Sequence, residues 1–225
     1  MNWNVPRTIE RPSEYKNDEA VCVEATQNDA LTATQKKKLV QEWVDFFEAG
    51  PTPLKRLDFT TRTPRRLFES LQHQTQLEDL RLKWGDYSDL SPILSMPNLH
   101  TLKFQSAPAV KTLEPLTGNA TIHTLQINGL RDAHDMNPIG TMTSLQTLHL
   151  GGDGNSLRIA HIDSLEFIHN LPQLEELMLQ GLIVDSKDYS PLLSLKNLKL
   201  SWVMASRGMR PKIEELSEHL GGWVE

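Results

Sequence analysis

The stretch Leu99-His100-Thr101-Leu102-Lys103-Phe104, with Pro92 seven residues ahead of it, sets the reading of the whole chain. The same six-residue phrase returns as Leu77–Leu82 (LEDLRL), Ile122–Ile127 (IHTLQI), Leu145–Leu150 (LQTLHL) and Leu174–Leu179 (LEELML). Leu54–Phe59 (LKRLDF) opens the series, and Leu198–Val203 (LKLSWV) closes it in degraded form. Successive lead residues stand 23, 22, 23, 23, 29 and 24 apart. A period of this length marks an internal repeat whose units stack on one another, and such a repeat decides architecture before local propensity does.

Within each phrase the first, fourth and sixth positions are apolar. In a short strand, alternation sends the fourth and sixth side chains inward, while the first closes the corner before them. Further apolar sites recur nine, six and three residues before each lead residue, too few for a long helix, so the return segment is expected to be a turn or two of 3₁₀ or α-helix. Pro92, Pro115, Pro138 and Pro191 all stand seven before a lead residue. Ser91, Asn137 and Ser190 precede three of them and read as N-caps followed by proline in the first helical position.

The ends complete the organisation. Residues 1–31 form an N-terminal extension in which Ala20-Val21-Cys22-Val23 is a possible edge strand. Residues 32–50 predict a capping helix: Thr32 or Thr34 can cap it, Leu39, Val40, Trp43, Phe46 and Phe47 share one face, and Gly50-Pro51 stops it. Seven repeats occupy residues 51–206. Residues 207–225 predict a C-terminal capping helix, with Pro211 in its first turn and Gly221-Gly222 at its end.

The pattern resembles the leucine-rich repeat family over about two-thirds of the chain, in the 22–23-residue form seen in bacterial internalins and in the leucine-rich regulator of protein phosphatase 1. Asp89-Leu90-Ser91-Pro92-Ile93 followed by Met96-Pro97-Asn98-Leu99, and Asp188–Leu192 followed by Leu195–Leu198, carry the resemblance. It implies an α/β solenoid, a right-handed horseshoe with a parallel sheet on its concave face and short helical turns on its convex face. That concave face usually binds another protein. One departure stands out: the family's asparagine at the ninth position is replaced here by Arg62, Gly85, Ala107, Leu130, Asp153, Leu182 and Ser206.

Positions three, five and seven of each phrase face outward. Candidates for partner binding on the concave face are Arg81, Lys83, Trp84, Lys103, Gln105, Gln126, Asn128, His149, Met178, Gln180, Trp202 and Met204. At the N-terminal end, adjacent strands are expected to set Arg56 beside Asp79 and Asp58 beside Arg81 as crossed pairs, leaving Lys83 and Lys103 for an acidic partner surface. Met178, Leu200, Trp202 and Met204 form an apolar zone that is either a binding patch or the landing place of the C-terminal helix. Trp84 either packs on a neighbouring loop or anchors a partner. Insertion of extra residues around Gly151–Ser156 adds a loop, Asp153–His161, that can also touch a partner.

A net charge of −6 argues against a duplex nucleic-acid binder. No segment approaches the apolar length of a membrane span, and the N-terminus carries no apolar run of a secretory signal. The lone cysteine, Cys22, permits no intrachain disulfide and fits a reducing compartment. His100 and His123 share a position in adjacent repeats without a carboxylate or cysteine to complete a metal set. The sequence therefore predicts a bacterial-type, cytoplasmic, monomeric, non-catalytic module that needs no cofactor and no metal and binds an unidentified protein, with an inhibitor or immunity role among the functions this allows. The alternatives are a secreted adhesive or effector repeat protein and a regulatory subunit of an enzyme such as a phosphatase.

Overall fold

Ten strands lie side by side in one parallel sheet in the computed structural model, which describes residues 5–153, 156, 158–220 and 223–224, the last pair by backbone alone. In chain order the elements are β1 (Arg7–Ile9), β2 (Ala20–Val23), α1 (Ala33–Glu48), β3 (Arg56–Thr63), α2 (Arg65–Ser70), β4 (Asp79–Gly85), β5 (Thr101–Phe104) and β6 (Thr124–Asn128). There follow α3 (Asn137–Gly140), β7 (Thr147–Gly151), β8 (Ala160–Ile162), β9 (Glu176–Gln180), β10 (Leu182–Val184), β11 (Leu200–Val203), α4 (Ile213–His219) and β12 (Trp223–Val224). The sheet order is β1-β2-β3-β4-β5-β6-β7-β9-β11-β12, and β8 pairs with β10 in a separate parallel ribbon.

The register is constant across the repeats. Leu80, Leu102, Leu125, Leu148 and Leu177 stand opposite one another in turn, as do Leu82, Phe104, Ile127, Leu150 and Leu179. All ten are buried. Each is worth about 1.5–3 kcal/mol on burial, so one continuous core row accounts for the fold's preference over any slipped pairing. The last repeat keeps the step, with Trp202 opposite Met178 and Val203 opposite Leu179, although Ser201 fills its inward fourth position.

Proline does start the return turns, at Ser91–Ser95, Glu114–Leu116, Asn137–Gly140 and Ser190–Ser194, but Ser91, Asn137 and Ser190 do not cap them. The capping side chain comes two residues earlier. Asp89 accepts from Ser91 N (2.9 Å), Asp135 from Asn137 N (2.8 Å) and Asp188 from Ser190 N (2.9 Å). Thr112 and Ser164 do the same for Glu114 and Glu166, at 3.1 and 3.4 Å. These turns are too short to offer a serine at their first position a free N–H three residues on, whereas an Asx-type loop closes over a gap of two.

The turn that leaves each strand stays paired without asparagine. Ala107 N donates to Asn128 O, Gly129 N to Gly151 O and Gly152 N to Gln180 O, all at 2.8–2.9 Å. Gly129 (φ 71°) and Gly181 (φ 58°) adopt the left-handed conformation this requires, and a Cβ on Gly129 would lie 3.1 Å from both Ser106 and Asp153.

The two ends are closed differently. Thr32 caps α1 through a reciprocal box with Gln35, and Leu39, Trp43, Val44 and Phe47 bury its inner face against the first layer. Trp43 Nε1 donates to Glu10 O at 2.7 Å and its ring stacks on Phe47, tying the N-terminal extension to the helix. Gln74 occupies a site that is apolar in most of the repeats. Its amide donates to Phe47 O (3.0 Å) and Gly50 O (2.9 Å) and accepts from Thr52 N and Oγ1 (3.0 and 2.8 Å). Strand β2 pairs with β3, as the sequence suggests, and β1 adds a further strand beyond it that carries no sequence signal of its own. At the far end α4 buries Leu216 and is pinned by His219 Nε2 against Leu193 O at 2.9 Å. Gly221-Gly222 lie outside the described residues, and β12 then adds a short strand beside β11. Of the inserted loop, residues 154, 155 and 157 lie outside the described residues; its exit becomes β8.

Two outcomes check this account. Gln74→Leu keeps the volume but strands the buried Phe47 carbonyl and the part-buried Gly50 carbonyl, and should lower unfolding free energy by about 2 kcal/mol in denaturant titration. Ser91's hydroxyl and amide, bonded to Asp89, hold that carboxyl below the ordinary value of 3.8. A lowered carboxyl stabilises above the unfolded value and loses its contribution as pH falls through the folded one. Asp89→Ala should therefore cost about 1 kcal/mol at pH 7, and the gap to the parent should narrow as the solution is taken below the carboxylate range.

Candidate functional site

The outward face of the sheet is organised in columns by the same register that builds the core. Cys22, Asp58, Arg81, Lys103, Gln126, His149, Met178 and Trp202 form one continuous column. Ala20, Arg56, Asp79, Thr101, Thr124, Thr147, Glu176 and Leu200 form the next. At the usual strand spacing of about 4.8 Å the ten strands make a sheet roughly 43 Å across.

Charge at the N-terminal end closes on itself through the expected crossed pairs, and the shorter bonds run along each strand. Arg56 Nε and Nη2 reach Asp58 at 3.2 and 2.8 Å, and Arg81 Nε and Nη2 reach Asp79 at 2.9 and 2.7 Å, both along a strand. The cross-strand contacts, Arg56–Asp79 at 3.7 Å and Arg81–Asp58 at 3.9 Å, complete a ring of four. Residues two apart on one strand share a face, and the guanidinium fork fits a carboxylate two-pronged at that reach. Arg81 is thus spent on its neighbours. Cys22 is buried beside the ring with Sγ 4.0 Å from Asp58; burial first, then that carboxylate, push its thiol pKa up and keep it protonated.

Lys83 and Lys103 have no ion-pair partner among the described residues. Lys103 is half-buried, and that burial, with the Arg81 charge beside it, pushes its pKa down from 10.5. The middle of the face holds the threonine row with Gln105, Gln126 and Asn128. His149 is engaged: its Nε2 lies 2.8 Å from Glu176 Oε1 on the neighbouring strand.

The C-terminal zone stays open. Leu200, Trp202 and Met204 are 40%, 38% and 45% exposed, beside Met178 and Gln180. Helix α4 does not cover them. Met204 is held in place, its Sδ accepting from Gly181 N at 3.3 Å.

Trp84 lies at the end of β4, off the main columns. An irregularity between Phe59 and Arg62 shifts β3 so that Arg62 faces Trp84, and the guanidinium carbon sits 5.5 Å from the indole centre. Packing and exposure are both realised there, since the ring remains partly open to solvent.

The sequence missed one polar grouping. His134, Asp163 and Asp185 bring possible ligand atoms within 4.8 Å of one another, and His161 Nδ1 pairs with Asp185 at 2.8 Å. Their spacings of 29 and 22 residues follow the repeat period, which is the signal that would have found them. Both carboxylates are exposed, and the trio is a solvent-facing cluster on the loop edge. His100 and His123 stack at 5.7 Å.

No protein-family model matches the sequence, and no curated protein matches it. Among solved structures, internalin C2 of Listeria monocytogenes is similar, with a TM-score of 0.53 and 20% identity over 70% of this chain. Internalin inlF of the same organism aligns with a TM-score of 0.45 and 17% identity over 84% of this chain. The chain spans 63% and 54% of those two proteins' lengths. The fold is a leucine-rich-repeat solenoid of the α/β class, its parallel sheet along the concave face.

Lys103 makes this face testable. A lysine whose pKa is lowered by folding binds its proton less well in the folded state, so its charge destabilises at neutral pH and the cost fades as pH rises toward the lysine range. Lys103→Met should raise Tm at pH 7, and the difference from the parent should shrink in alkaline buffer.

Proposed function

We propose that this chain is a non-catalytic protein-binding module whose partner docks along the concave face, with an acidic surface toward Lys83 and Lys103 and apolar side chains toward Trp202. The observation that carries the reading is the row Leu200, Trp202 and Met204, large apolar side chains left open on outward strand positions beside Met178. Leaving such side chains exposed to solvent has no benefit for the isolated fold, and tryptophan in such a setting is a frequent binding hot spot. The ring of Arg56, Asp58, Asp79 and Arg81 then acts as a neutral, rigid floor beside the two free lysines. A buried, protonated Cys22 speaks against a thiol nucleophile and suits the reducing, cytoplasmic setting we propose for it.

Within this proposal we include an inhibitor or immunity role, in which occupying the partner's surface is itself the activity. The test is affinity capture from the native cell with partner identification, run alongside Trp202→Ala and Lys83→Glu. Trp202→Ala should weaken the identified complex by about thirtyfold or more, and Lys83→Glu should slow association and flatten its salt dependence. Wild-type binding by both variants would overturn the docking face.

A further inference from the structure

We infer that the chain carries a second docking site, a cationic groove between α1 and the C-terminal ends of β3 and β4 that takes a short acidic peptide segment bearing a large apolar side chain. The groove has a volume of about 640 Å³ and is lined by Lys36, Lys37, Val40, Arg62, Arg66 and Trp84, among others. Helix α1 turns Leu39, Trp43 and Phe47 into the core, so Val40 and the lysines before it fall on the flank that meets the sheet edge. The irregularity in β3 supplies the opposite wall by setting Arg62 against Trp84.

Charge selects the occupant. The whole protein has a net charge of −6, yet four cations converge on this one groove. Lys37 and Arg66 have no hydrogen-bond or ion-pair partner among the described residues, and Lys36 reaches only Asp29, at 3.9 Å, whose side chain is fully exposed. Arg62 is held by Asp86 at 2.7 Å, but its Nε is buried without a hydrogen-bond partner. Asp86 and Asp29 offset only part of this charge. Between the cations lie the indole of Trp84 and the side chain of Val40, both partly exposed. Carboxylates on the rim and one inserted apolar side chain satisfy both features, whereas a neutral apolar ligand would leave the cations unpaired and a polyanion would leave the indole bare.

The site is separate from the docking face proposed above, and the test keeps them apart. Short random peptides displayed on phage are selected against the full chain, against Lys37→Glu/Arg66→Glu and against Trp202→Ala. The parent and Trp202→Ala should enrich the same peptides, rich in Asp and Glu around a Leu, Phe or Trp. A synthetic copy of the top sequence should lose at least about tenfold in affinity for the charge-reversed protein and for Trp84→Ala, and should weaken as salt is raised. Circular dichroism melts check that the variants are folded. No enrichment, enrichment of neutral or basic peptides, or equal binding to the charge-reversed protein would overturn the site. So would a parent that self-associates in sedimentation while the charge-reversed protein stays monomeric, since the occupant would then be a second copy.

Discussion

No repeat in this chain can cover its own apolar layer. Leu80 and Leu82 are dry only because Leu57 and Phe59 lie on one side and Leu102 and Phe104 on the other, and the same holds at every step to β11. That mutual dependence fixes one register for the whole sheet, because a slip of one residue would turn each leucine to solvent. It also forces the two ends to be closed by something that is not a repeat. The helix–extension assembly at one end and the short α4–β12 closure at the other follow from it.

What was legible in the sequence is what this constraint repeats. The leucine positions, the strand register, the prolines at turn starts and the need for a helix before Leu54 could all be read, because stacking imposes the same residue type at the same offset many times. Features made by a single encounter were not legible. Among the described residues strand β1 pairs only with β2, and just past its end Glu10 O meets Trp43, two residues 33 apart in the chain. The β8–β10 ribbon depends on an insertion in one repeat lining up with the next. Between these lies a partly legible class. The capping aspartates Asp89, Asp135 and Asp188 recur at the repeat period, but in Asp-x-Ser or Asp-x-Asn a regular helix would take its cap from the Ser or Asn, whereas the Asx loop takes it from the Asp.

The outward face obeys a different rule, and the candidate site shows why. Register could say that Arg56, Asp58, Asp79 and Arg81 would be neighbours, but not that the arginine forks would fold along their own strands. That choice depends on side-chain reach, which periodicity does not encode. It matters for the proposed docking face: Arg81 and His149 are committed to Asp79 and Glu176, so among the described residues Lys83 and Lys103 are the cations of this face without an ion-pair partner. Lys103 is kept charged against its own desolvation, which is a cost the isolated fold does not need.

The asymmetry of the ends bears on where binding can occur. The N-terminal end buries Trp43 and Phe47 completely and clips α1 to the first repeat with the four bonds of Gln74. Helix α4 buries only Leu216 within its span and leaves Trp202 outside its cover. In a linear stack, opening proceeds from the ends, so the apolar row sits near one of the two places where local adjustment costs least. At the N-terminal end, the proposed groove's cations and Trp84 stand on elements anchored by the buried contacts of Trp43 and Phe47. The two proposed sites therefore rest on differently anchored parts of one stack.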